Sequence, residues 1–253
     1  PLPATARGRG RGMTAYRSAS GGAATRLGRE LAVGWLERSV LAYPPALLEV
    51  RTPGAGKSAE GGLLEFGDEP MATEACTPDA LADRDLLLLA GAAQEARQAL
   101  AMAAPQTLVV DLAGALAAEG DGALLAGLET PPGENPGQVR LIRVAHPAAQ
   151  ALAHLLDRLA LAGPSTAEAA TVFEPASQQG WPGMRELEQQ TTRLLSLQSI
   201  PEEVFGAQLA FNLPAGRDAA DLRRRITAET PALRTVPGAA PPALEVLEPP
   251  LFH

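Results

Sequence analysis

The sequence predicts an α/β fold built around a parallel sheet, and three observations carry that expectation. Residues 86–89 and 107–111 are apolar runs without polar alternation, the pattern of strands covered on both faces. Between them the alanine-rich stretch 94–104 reads as a helix stopped by Pro105. A strand, helix, strand rhythm of this kind calls for parallel strands joined by right-handed crossovers.

The other elements follow along the chain. Residues 14–20 read as a strand, unusually polar for a central position. Apolar residues at 27, 31, 35 and 36 have the spacing of a helix face over 27–37. A short strand is expected at 47–50 and a hairpin-like excursion at 58–67. Thr77-Pro78-Asp79 opens a helix: the threonine hydroxyl caps, proline suits the first turn, and Asp79 and Asp83 favour the positive end. A Pro- and Gly-rich loop over 128–137 precedes a strand at 139–144, and His146-Pro147 turns into a long helix, 148–161. Gly163, Pro164 and Ser165 link to a second region. It holds an amphipathic helix at 184–196, a strand at 208–213, a charged helix at 219–230 ending before Pro231, and a last apolar stretch at 244–247.

Composition narrows the function. Of 253 residues 46% are hydrophobic, 20% charged and only 4% aromatic, so a folded core must be made of Ala, Leu and Val. The net charge of −8 argues against a nucleic-acid partner, which needs a basic surface. No apolar run approaches the roughly 20 residues of a membrane helix, so no membrane partner is expected. The single cysteine, Cys76, excludes an internal disulfide and fits a cytoplasmic protein; it reads as a small apolar residue, not a nucleophile. Residues 1–12, basic and Gly-rich, are expected to be a disordered tail before Met13. Gly54-Ala-Gly56-Lys57-Ser58 has the end of a phosphate-binding loop but Arg51 where its first glycine is needed, so it reads as a surface turn. No third ligand joins His146 and His154, so no metal site is expected.

Several segments, in one order and with consistent spacing, resemble the aspartate-semialdehyde dehydrogenase family. The stretch from Gly22 through Thr25 to Gly28-Arg29-Glu30 is similar to the family's nucleotide-binding turn, Gly-Ala-x-Gly-x-x-Gly-Arg-Glu. The strand over 85–93 looks like the one leading to its Ala-Gly-Gly turn, and Leu108-Val-Val-Asp111 like the one before its Asn-Ser-Ser-x-Phe-Arg segment. Val144-Ala-His-Pro147 sits where the family has Asn-Pro-Asn-Cys. Gly183-Met-Arg-Glu-Leu-Glu-Gln-Gln-Thr191 followed by Gln208-Leu-Ala-Phe211-Asn212 is similar to the family's helix and its Gln-x-Ala-Phe-Asn strand. Pro250-Leu-Phe252 resembles the start of the last strand pair.

The resemblance implies a Rossmann-like NAD(P)-binding-type domain over 13–147 and an α+β dimerisation and substrate-type domain over 148–253, C-terminally truncated. It also implies a set of lost contacts. The nucleophile position is Ala149, whose methyl cannot form a thiohemiacetal. The cofactor turn is Gly22, Thr25, Gly28, with a branched side chain where backbone must approach a pyrophosphate. The phosphate-contacting Arg falls at Ala117, the orienting Gln at Glu174 and the carboxylate-binding Arg near Glu248. His146 is either a base or anion ligand beside the vanished nucleophile, or a helix cap. The function implied is a family fold without catalysis, with no cofactor or a residual affinity for NADP or NAD, acting as a binding or dimerisation module in a homodimer or a heterodimer with an active paralogue. The alternative is an active NAD(P)-dependent semialdehyde dehydrogenase with another nucleophile.

Overall fold

The structure is a computed structural model that describes residues 18–21, 25, 27–31, 46–49, 63–66, 69–116, 124–126, 140–163, 169–214, 216, 219–235 and 242–252. The expected tail at 1–12, the turn at 54–58, the loop at 128–137, Gly22, Ala117 and the later part of the helix at 27–37 lie outside them. The chain forms two compact units, residues 1–145 and 146–253.

In the first unit, strands β1 (Ser18–Gly21) and β2 (Ala46–Glu49) are followed by a hairpin of β3 (Leu63–Phe66) and β4 (Glu69–Ala72). Then come β5 (Glu74–Ala75), helix α1 (Pro78–Leu81), β6 (Leu86–Leu89), α2 (Ala93–Met102), β7 (Leu108–Asp111), β8 (Leu124–Ala126) and β9 (Leu141–Val144). Seven strands make one sheet in the order β5-β2-β1-β6-β7-β9-β8, and every neighbouring pair is parallel. After β7 the chain takes one edge with β8 and fills the place between them with β9; before that, it winds outward from β1 to the other edge at β5 and crosses back to β6. That reversal is the Rossmann-type arrangement, and it opens a crevice at the carboxyl ends of β1 and β6.

The core of this unit is small and aliphatic, as the composition requires: Leu48, Leu81, Leu87, Leu89, Val109 and Leu116 are sealed from solvent together with Ala19, Ala96 and Ala99. The hydroxyl of Thr77 accepts the N–H of Ala80, giving α1 its expected cap. The Arg140 guanidinium donates to the carbonyls of Leu100, Ala103 and Ala104, closing the C-terminal end of α2. Ser18 and Ser20 of β1 are buried, and β1 lies inside the sheet between β2 and β6, so the polar strand is an interior one.

The second unit contains α3 (Pro147–Ala160), β10 (Ala169–Phe173), a 3-10 turn (Ala176–Gln179), α4 (Gly180–Leu195), α5 (Ala219–Leu233) and β11 (Ala243–Leu247). β10 and β11 pair in parallel as a two-stranded sheet. Asp157 on α3 accepts from the Arg234 side chain at 2.9 Å and from the Thr235 N–H and hydroxyl at 2.6 and 2.7 Å, tying α3 to the end of α5. α5 runs past Pro231 rather than stopping before it; the proline lies in the last turn, and only two residues follow it in the helix.

The expected strand at 208–213 is instead a turn, and α4 explains why. Gln190, sealed from solvent, accepts the N–H groups of Leu209 and Ala210 at 2.7 and 3.0 Å and donates to the carbonyls of Pro201 and Ala207 at 2.8 and 3.1 Å. One turn earlier, Glu186 accepts the N–H groups of Val204 and Phe205. Phe211 then takes a left-handed backbone, φ 59°, which breaks extended pairing. Gly183 sits on the same helix where a Cβ would come within 2.6 Å of the Ala176 carbonyl oxygen. Likewise 250–252 is not regular strand, although the carbonyls of Leu251 and Phe252 accept from Ala176 and Ser177.

Replacing Gln190 by Leu keeps the volume but orphans two donors and two acceptors. The expected cost is about 3 kcal/mol or more of unfolding free energy, measured by urea denaturation; a change below about 1 kcal/mol would show that the loop does not need the amide.

Candidate functional site

Two places match the positions singled out in the sequence. The first is the crevice between β1 and β6. Thr25 follows the end of β1, and residues 27–31 are helical. Its hydroxyl accepts the N–H of Gly28 at 3.0 Å and donates to the Ala90 carbonyl, just past β6, at 3.0 Å. Its own carbonyl accepts the Arg29 N–H. Thr25 is therefore the N-cap of this helix and a bridge across the crevice. A free N–H at a helix N-terminus is what a dinucleotide phosphate binds; at Gly28 that donor is already taken by a side chain.

The second place lies wholly in the second unit, at the start of α3. His146 is 3% exposed and caps the helix, its Nδ1 accepting the Ala148 N–H at 3.2 Å. Its backbone N–H donates to Glu229 Oε2 at 2.7 Å, and Glu229 Oε1 is held by Arg225 at 2.9 Å. On the other side of the ring, Nε2 lies 3.2 Å from the Gln178 side-chain amide and 3.9 Å from Glu174 Oε1. Because Nδ1 accepts, the neutral ring carries its proton on Nε2, so Gln178 must turn its amide oxygen toward it. The capping alternative for His146 is the one realised.

The surroundings of His146 and Glu174 disfavour the charged form of each. Burial, reinforced by the Arg225 charge, lowers the His146 pKa to about 4. Burial and then the neighbouring Glu248 carboxylate raise the pKa of Glu174. The structure thus brings His146, Glu174 and Glu248, three positions marked from the sequence, into one neighbourhood. It adds Gln178, Glu229 and Arg225, which sequence reasoning missed; of these only Glu229 is buried, and nothing in the local sequence marks the three as neighbours of His146. Ala149 is fully buried one helical step away. Glu248 packs against Gly216, where a Cβ would meet its carboxylate, and its backbone donates to Pro214.

Cys76 is buried in the first unit, His154 is exposed on α3, and His253 lies outside the described residues. Among the described residues no group of three or more His, Cys, Asp or Glu side chains could hold a metal ion, and no helix is long and apolar enough to cross a membrane.

No protein-family model and no curated protein matches the sequence. Solved structures do. A probable aspartate-semialdehyde dehydrogenase from Pseudomonas aeruginosa is 25% identical with a TM-score of 0.69, covering 94% of this chain and 72% of its own. Aspartate semialdehyde dehydrogenase II from Vibrio cholerae, complexed with ASA, has a TM-score of 0.72 at 17% identity over 94% of this chain and 71% of its own. The Candida albicans enzyme with NADP has 0.62 at 12%, over 95% and 69%. Along nearly its whole length the chain has the fold of the aspartate-semialdehyde dehydrogenases.

The buried histidine makes stability depend on pH with a definite sign. Between 6.5 and about 4 the unfolded chain binds a proton that the folded chain refuses. The stabilisation from neutral His146 is complete above 6.5 and lost as pH falls toward about 4, up to about 3 kcal/mol. Glu174, raised, acts oppositely, losing its contribution as pH rises through its folded value. Comparison with His146→Asn, which keeps a cap, isolates the histidine. Its stability deficit at neutral pH is expected to shrink in urea titrations as pH falls through this window; a deficit constant with pH would show the ring free to protonate.

Proposed function

We propose that this chain, built on the aspartate-semialdehyde dehydrogenase fold, has lost that family's reaction and works as a binding or dimerisation module. The observation that carries the reading is Ala149: where the resemblance places the thiol nucleophile, there is a methyl group sealed inside α3. Attack on an aldehyde needs a nucleophilic atom at that point, and no other side chain of the cluster supplies one. His146 is neutral and committed to capping, and Cys76 is buried in the other unit.

The binding positions support the same reading. A substrate carrying a carboxylate and a phosphate needs cations; at Glu174 and near Glu248 it would meet carboxylates instead. NADP, the cofactor named with the Candida albicans relative, fits poorly at a helix start whose Gly28 N–H is already bonded to Thr25. Dimerisation is supported by the second unit's surface. A two-stranded parallel sheet is marginal alone, and Phe173, Phe211, Leu213, Leu251 and Phe252 are exposed around that unit.

Titration of NADP or NAD into the full chain is expected to give no binding heat up to about 1 mM. A dissociation constant below about 100 μM, or cofactor reduction with aspartate semialdehyde and phosphate, would overturn the loss of catalysis in favour of an active dehydrogenase with an unassigned nucleophile. Light scattering during size exclusion is expected to give twice the monomer mass, falling to the monomer in Phe173→Asp with unchanged circular dichroism. A wild-type chain monomeric at high concentration would remove the homodimer and leave pairing with an active paralogue to be tested by mixing the two.

A further inference from the structure

α4 has a second face that neither its own loop nor the cluster around His146 uses. Trp181, Arg185, Gln189 and Arg193 follow one another at four-residue spacing, so they line up along one side of the helix. All four are exposed, and the Trp181 ring is 52% open to solvent. Together with Pro201 and Glu203 from the loop opposite, they line a groove of about 500 Å³. Its floor is closed by Glu186, whose carboxylate is occupied by the N–H groups of Val204 and Phe205.

The groove is equipped but unengaged. Among the described residues the side chains of Arg185 and Gln189 make no hydrogen bond or ion pair, and the Arg193 side chain makes one hydrogen bond, to the Ser199 carbonyl at 3.3 Å. In a chain of net charge −8, two guanidinium groups aligned with an exposed indole are a local exception. Such residues are enriched where proteins bind other proteins.

We propose that this groove docks an extended, acidic segment of a partner protein. The helix places Arg185 about 6 Å and Arg193 about 18 Å beyond Trp181 along its axis. An extended chain rises about 3.3 Å per residue. An aromatic residue over the indole would therefore be followed by acidic residues two and six positions later, facing the two arginines. Gln189, between them, offers an amide with both a donor and an acceptor, the complement of the segment's own peptide groups. Glu203 on the opposite wall repels carboxylates and so turns the acidic side chains toward α4. This reading rests on the second unit alone and stands whether or not a dinucleotide binds the first.

The test uses the full-length chain and a fluorescein-labelled peptide, Phe-Ala-Glu-Ala-Ser-Ala-Glu, followed by anisotropy at low ionic strength. Saturable binding is expected with a dissociation constant of about 100 μM, weakened by salt. A peptide with both glutamates changed to lysine should bind at least about tenfold more weakly. Trp181→Ala and Arg185→Glu alter exposed side chains and should keep the circular dichroism spectrum, yet each should lose about fivefold or more in affinity. No saturation up to about 1 mM, equal binding of the lysine peptide, or wild-type affinity in both variants would overturn the proposal. None of these results bears on cofactor binding or on the Phe173 surface, so the two readings fail separately.

Discussion

The buried amide of Gln190 is the interaction on which the second unit's shape depends. Residues 201–210 belong to no helix or strand, yet Phe205, Leu209 and Ala210 among them are buried. Each buried backbone group there must find a partner, since an unpaired buried N–H or C=O costs about 1–3 kcal/mol. A single glutamine satisfies two donors and two acceptors, and Glu186 one turn away satisfies two more donors. With its polar groups met in this way, the loop can bury Phe205 and Leu209 against Leu187 and Ala176. Gly183 completes the device: only without a Cβ can α4 lie this close to the Ala176 carbonyl.

The same principle, a side chain standing in for a missing partner, operates at Thr25 and His146. Each caps a helix start at a position where the resemblance implies ligand chemistry. A helix N-terminus leaves N–H groups to be satisfied by a ligand, by water or by the protein itself. Here the protein does it. The local fold is then stable without any bound group, and the field that would have drawn in an anion is spent on a hydroxyl and an imidazole. Around His146 two groups are held toward their neutral forms: a depressed histidine beside a carboxyl, Glu174, whose pKa is raised.

How much of this was legible in the sequence follows the same division. Leu86–Leu89 and Leu108–Asp111 announce themselves because burial on both faces demands an uninterrupted apolar run, and Thr77 because a capping hydroxyl acts on its own neighbours. That the sheet is parallel follows from that rhythm, whereas the order of its strands is seen only in the fold. The turn at 208–213 was misread because its apolar residues alternate like a strand, while the groups that pair its backbone sit about 20 residues earlier on α4. β10 went unnoticed since its AATVF is short and half exposed. Ala149, Glu174 and Glu248 could be marked only through resemblance; that Glu174 and Glu248 stand close enough for one charge to disturb the other is a tertiary fact.

Some positions of the chain keep the family pattern and others depart from it. Gly183, Glu186 and Gln190 lie in the stretch that resembles the family, and each is held by a steric or hydrogen-bonding demand inside this chain. Thr25, Ala149, Glu174 and Glu248 are the positions that depart from it, and in the family pattern their counterparts would face cofactor or substrate. A chain drifting without constraint would lose both sets alike, since a buried glutamine left half-satisfied is as easy to reach by mutation as an alanine in place of a nucleophile. On the proposed reading, loss confined to the positions that would face a ligand leaves the fold intact and removes only the work of holding a dinucleotide and an aldehyde. What such a scaffold still has to offer is surface, and its second unit presents apolar side chains around a two-stranded sheet and a separate stripe of Trp181, Arg185 and Arg193 along α4.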